Sequence, residues 1–156
     1  MSDLQCPATL LIARHGDAVQ VRVLVEQVRS RRVAAVYSSR MQRAVESADL
    51  AASQLGLQPI AVDGLQELAV GELAGAVLKR FTKAIEEITD MHRGETVLVF
   101  AHGGTMSLAI PKVSVNAGND VAAQRFLPHC VPAEVEVDAD GWRLVSWPGS
   151  VGSEQA

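Results

Sequence analysis

The chain has 156 residues, 48% of them apolar but only 4% aromatic, and a net charge of −4 from 14 basic and 18 acidic side chains. That length makes one domain, able to bury roughly two thirds of its unfolded surface, with a core of Ala, Val, Leu and Ile that suits a covered sheet. Mild acidity spread along the chain excludes a general attraction for nucleic acid or an anionic membrane. No stretch approaches the roughly 20 apolar residues of a membrane span. No basic segment leads into a sustained apolar run near the N-terminus, so the expected location is cytoplasmic. Cys6 and Cys130 sit in no ligand-like spacing and read as reduced thiols.

Four short apolar runs, residues 9–13, 33–37, 59–62 and 96–101, predict strands buried on both faces. Helix-period segments lie between them. The first is marked by Val21, Leu24, Val25 and Val28, and its pattern begins at Gln20 with no recognisable cap. Met41, Ala44, Val45, Ala48, Ala51 and Leu55 mark the second, which stops at Gly56; Val77, Phe81, Ala84, Ile85 and Ile88 mark the third, which ends at Gly94. Strands alternating with helices imply βαβ crossovers and a mostly parallel sheet. Alternation in 134–137 and 142–147, around Asp138-Ala139-Asp140-Gly141, predicts a hairpin that adds antiparallel strands. The expected fold is therefore α/β, a three-layer α/β/α sandwich whose mostly parallel sheet carries an antiparallel C-terminal hairpin. The small polar tail from Pro148 to Ala156 is expected to fray.

The first buried run leads into Arg14-His15-Gly16 and the fourth into His102-Gly103-Gly104. Ligands of open α/β sheets bind beyond the carboxyl ends of the strands, so both histidines are expected in one crevice. The glycines allow sharp turns and close approach of amides to an anion. The second run leads into Ser38-Ser39-Arg40-Met41-Gln42-Arg43-Ala44; Arg40 suits a solvated helix face, whereas the setting of Arg43 brings a guanidinium fork to the same sheet edge.

Arg14-His15-Gly16, then Ser39 and Arg43-Ala44, then His102-Gly103-Gly104, each after a strand and in this order, resemble the signature of the histidine phosphatases of the phosphoglycerate-mutase-like superfamily. The segment Leu65-Gln66-Glu67, followed by Gly71 and Gly75, is similar to the stretch that supplies that family's catalytic acid. The resemblance implies a phosphatase in which His15 attacks phosphorus and carries the phosphoryl group. Arg14, Arg43 and His102 would neutralise the equatorial oxygens, and Glu67 would protonate the leaving oxygen. Gly16, Asp17, Ser39 and Gly103 are the expected substrate-binding positions. No metal and no cofactor is called for, because the arginines supply the charge, and no His-x-His spacing or carboxylate cluster offers a ligand set. The expected partner is a small phosphorylated substrate, not nucleic acid or membrane, and the oligomeric state stays open, a homodimer included. Three rival functions share the site: a mutase, a phosphohistidine-protein phosphatase and, least in keeping with an intact nucleophile, a non-catalytic phosphate-binding domain.

The chain departs from the family pattern in carrying Asp17-Ala18-Val19 after Arg-His-Gly, Arg40 after Ser39, and Ala74 before Gly75. Two segments also look short, near residues 18–20 and 75–77, where the family has longer loops. Either this is a minimal variant with an open pocket or mobile loops have been left out of the sequence; the abrupt joins favour the second.

Overall fold

The structure is a computed structural model and describes residues 6–116 and 127–148. In chain order it comprises β1 (Ala8–Arg14), α1 (Ala18–Val28), a 3-10 turn (Arg29–Arg31), β2 (Val33–Ser38), α2 (Gln42–Leu55), β3 (Pro59–Ala61), α3 (Ala74–Met91), β4 (Thr96–Ala101), α4 (Gly103–Val113), β5 (Ala133–Asp138) and β6 (Gly141–Ser146). The strands form one sheet in the order β3-β2-β4-β1-β5-β6. The first four are parallel and β5–β6 is the antiparallel hairpin laid against β1, as the sequence patterns predict.

Successive side chains of a strand point to opposite faces, and the central strands use both. Leu10 and Ile12 of β1, with Val97 and Val99 of β4, pack among Phe81, Ile85 and Ile88 of α3 and Met106 and Ile110 of α4. Leu11 and Ala13, with Leu98 and Phe100, pack among Val21, Leu24 and Val25 of α1 and Ala44, Ala48 and Ala51 of α2. Two helices on each face make the three layers. The alanine stripe of α2 lets that helix lie close to the sheet, and Gly56 ends it in the left-handed conformation (φ 74°).

Several expectations are corrected. The run at 59–62 is not buried on both faces: β3 is a three-residue edge strand with Ile60 43% exposed, and proline, which cannot donate to a ladder, is tolerated at such an edge. The third helix starts at Ala74 and ends at Met91, before Gly94. Helix α4 has no counterpart among the expected elements, because it is short and opens on two glycines. The frayed tail lies, from residue 149 on, outside the described residues.

The first helix also has a cap after all. Asp17 accepts the Gln20 amide at 2.8 Å, and the Gln20 side chain accepts the Asp17 amide at 2.9 Å, a capping box that starts α1 at Ala18. Regular helix runs through residues 18–20 and 75–77. Asp17→Ala is expected to cost about 1 kcal/mol, or roughly 2–4 °C in melting temperature for a domain of this size. Asp17→Ser, which keeps a capping oxygen, should recover most of it; equal melting of all three proteins by calorimetry would remove the cap from this account.

Candidate active site

Two strand ends create the crevice. Beyond β1 the chain turns to α1 on one face of the sheet; beyond the adjacent β4 it turns to α4 on the other. Where neighbouring strands send their helices to opposite faces, a cleft is left at the carboxyl edge. The last paired residues of β1 and β4 are Arg14 and Ala101, so His15 and His102 leave the sheet side by side. Their ring centroids are 5.2 Å apart at an interplanar angle of 58°.

His102 is 1% exposed, and its Nε2 lies 2.7 Å from the Ser39 hydroxyl. That hydroxyl also accepts the Met41 amide at 3.2 Å, so Ser39 ties the His102 ring through Nε2 to the start of α2. Burial, neighbouring His15, Arg43 and Arg14 bring His102 down to about 4, against an opposing pull from Glu67. His15 is half-buried, and burial, Arg43, His129 and Arg14 lower its pKa, Glu67 again opposing. Both imidazoles are therefore neutral near pH 7, the form in which a histidine can act as nucleophile. Arg43, in the first turn of α2, is exposed and acts electrostatically on both rings. The Arg14 side chain lies across Gly103 and donates from Nη1 to the Leu127 carbonyl at 2.9 Å.

Glu67 reaches the same place from the loop before α3. Its carboxylate accepts the amides of Thr105 (2.8 Å), Gly104 (3.1 Å) and Leu68 (3.1 Å), the first two at the N-terminal end of α4. Burial works to raise its pKa, but the three amides and His102 outweigh it and hold the carboxyl below its ordinary value. A Cβ at Gly104 would stand 2.7 Å from that carboxylate and would push it off these amides. The loop is clamped from α3: Arg80 donates to the carbonyls of Gly64 and Gln66 at 2.7 and 2.9 Å and pairs through Nε and Nη2 with Glu72 at 2.8 and 3.0 Å. That pairing takes Glu72 down to about 2.

Thus Arg14, His15, Arg43, Ser39, His102, Gly103 and Glu67 come together. Asp17 stands at the edge of this group with its carboxylate engaged in the α1 cap. Sequence reasoning missed three participants. Ser47 of α2, 2% exposed, accepts the Gly16 amide and donates to the Gly16 carbonyl, both at 3.0 Å. Cys130 packs against Gly16, where a Cβ would come within 2.6 Å of its sulfur; burial, and the charge of Asp17, push its thiol up to about 11. His129 stands beside His15 with ring centroids 5.3 Å apart. Nothing in the sequence marks these three, since no motif contains them. Among the described residues no group of three or more His, Cys, Asp or Glu is arranged to hold a metal ion, and no helix is long and apolar enough to cross a membrane.

The depressed His102 value makes stability pH-dependent. The unfolded chain takes up this proton near pH 6.5 and the folded one only near 4, so stability falls as pH drops through that window and levels off below it. His102→Asn should flatten the slope between pH 6.5 and 4 in thermal melts; an unchanged slope would contradict the assigned ionisation.

Comparison with known proteins places the chain in a family. Residues 14–77 and 71–149 match the model of the histidine phosphatase superfamily (branch 1). The chain is 23% identical over 161 residues to phosphoglycerate mutase-like protein 4 of Arabidopsis thaliana, covering 81% of this chain and 69% of that one. Its fold is similar to YhfR of Bacillus stearothermophilus (TM-score 0.77, 19% identity, 88% of this chain and 95% of that one). It is also similar to a mutant phosphoserine phosphatase of Entamoeba histolytica, solved in complex with phosphoserine (TM-score 0.76, 12% identity, 91% and 97%), and to a mycobacterial glucosyl-3-phosphoglycerate phosphatase (TM-score 0.72, 15% identity, 93% and 100%). With the family model covering most of its length, the chain belongs to the histidine phosphatase superfamily.

Proposed function

We propose that this protein hydrolyses phosphomonoesters without a metal, through a phosphohistidine formed on His15. The observation that carries the reading is the pair of neutral imidazoles 5.2 Å apart at the switch point, with Arg14 and Arg43 beside them. His15 attacks phosphorus and displaces the alcohol. Arg14, Arg43 and a ring N–H of His102 stabilise the equatorial oxygens, each such donor supporting about 3–4 kcal/mol of transition-state stabilisation. Water then attacks the phosphohistidine, releasing phosphate and neutral His15. Glu67 moves the proton in both halves. A dianionic phosphate bound beside it raises its proton affinity; the proton so gained goes to the leaving oxygen, and the restored carboxylate takes one from the attacking water.

A mutase shares this site but must keep water from the phosphohistidine. His15 is only half-buried and residues 17–19 are exposed, which favours hydrolysis. An open pocket also suits a phosphoprotein substrate, the phosphohistidine-phosphatase reading. We hold the short joins near 18–20 and 75–77 to be places where family loops are absent. The overlap of the two matched stretches at 71–77 supports this for the second. Loops of that kind govern substrate choice.

A panel of sugar phosphates, phosphoglycerates, p-nitrophenyl phosphate and a phosphohistidine peptide, assayed with and without EDTA, tests the reading. Turnover insensitive to EDTA and abolished in His15→Ala is expected; activity that EDTA removes, or that His15→Ala retains, overturns it. Glu67→Gln should slow an alkyl phosphate by about 10²–10⁴-fold while p-nitrophenyl phosphate, whose leaving group needs no proton, falls far less. Equal losses on both substrates would take the proton-transfer role from Glu67.

A further inference from the structure

The backbone polar groups of the nucleophile's loop can be followed one by one. The His15 amide donates to Ala101 O at 3.2 Å, and the Arg14 carbonyl accepts the Cys130 amide at 2.8 Å. Both backbone groups of Gly16 bond to the Ser47 hydroxyl. The remaining group, the His15 carbonyl, accepts a hydrogen bond from Nδ1 of His129. A carbonyl can only accept, so this bond requires that Nδ1 of His129 carry a proton.

His129 is itself held in place by the site. It forms a parallel bridge with Arg14, the Cys130 amide and the Arg14 side chain bond the chain on either side of it, and Cys130 turns the chain away with a positive φ of 60°. The clip is reciprocal: the Arg14 side chain holds the Leu127 carbonyl, and the His129 side chain holds the His15 carbonyl.

Resting on the functional reading above, we propose that His129 is a positioning residue, fixing the backbone of His15 through Nδ1–H and so the line of attack of its ring. Its ring stands alongside that of His15, whereas the leaving group and the attacking water must lie across phosphorus from the nucleophile, so His129 acts through His15 and not on the substrate. Misplacement of a reacting group by about 1 Å costs about 10²-fold in rate.

The test compares His129→Asn, His129→Gln and His129→Ala in single-turnover phosphorylation of His15 by p-nitrophenyl phosphate, with melting temperatures alongside. The amide nitrogen of Asn stands two bonds beyond Cβ, as Nδ1 of histidine does; that of Gln stands one bond farther. Expected are an Asn variant within about 3-fold of the parent, and Gln and Ala variants slowed about 10- to 100-fold with KM changed less than about 3-fold. Should Ala not fold, the Asn and Gln pair still decides. Gln matching Asn, all variants matching the parent, or a loss confined to KM would overturn the role of His129. No phosphorylation of His15 in the parent protein would instead overturn the functional reading on which it rests.

Discussion

The site depends on one constraint, the parallel register of β1 against β4. Pairing Arg14 with Ala101 puts the next residue of each strand, a histidine in both cases, at the same height beyond the sheet. A slip of one residue would send every side chain of β1 to the opposite face, exchanging Leu10 and Ile12 with Leu11 and Ala13 between two differently shaped cores. The hydrophobic interior therefore fixes the distance between the two imidazoles. The geometry of the candidate site is thus inherited from packing, and it needs no contact between the histidines themselves.

Charge is arranged locally against the overall balance. A chain of net charge −4 gathers Arg14 and Arg43 around two buried or half-buried imidazoles, and those guanidinium groups help to keep both rings unprotonated. An arrangement suited to an anion thus also keeps the His15 lone pair available for the attack proposed for it. Glu67 completes the pattern from the other side. Its carboxylate is held by amides at the start of α4, and the loop carrying it is held by Arg80. Elements from both faces of the sheet consequently meet at one cleft beyond the strand ends.

What could be read from the sequence was whatever announces itself locally. The strands at residues 9–13 and 96–101 are runs of buried apolar residues, and the Arg-His-Gly and His-Gly-Gly motifs sit directly at their ends. The exposed edge strand β3 misled because an apolar run carries no sign of which sheet position it takes. The Asp17–Gln20 cap was legible in principle as an acidic residue followed three positions later by glutamine, but the first apolar position of the helix drew the boundary too late. His129 and Ser47 lie beyond any such reasoning. They meet the nucleophile loop across 114 and 31 residues, and only the folded sheet edge brings them there.

The central claim is that His15 carries the phosphoryl group, and the most direct measurement is to catch it there. The protein is mixed briefly with p-nitrophenyl phosphate, quenched in denaturant at alkaline pH and analysed by peptide mass spectrometry. The account predicts phosphate on His15, stable to base and lost in acid, and no label in His15→Ala. Phosphate on any other side chain, Ser39 included, or turnover in which His15 never becomes labelled, would contradict it.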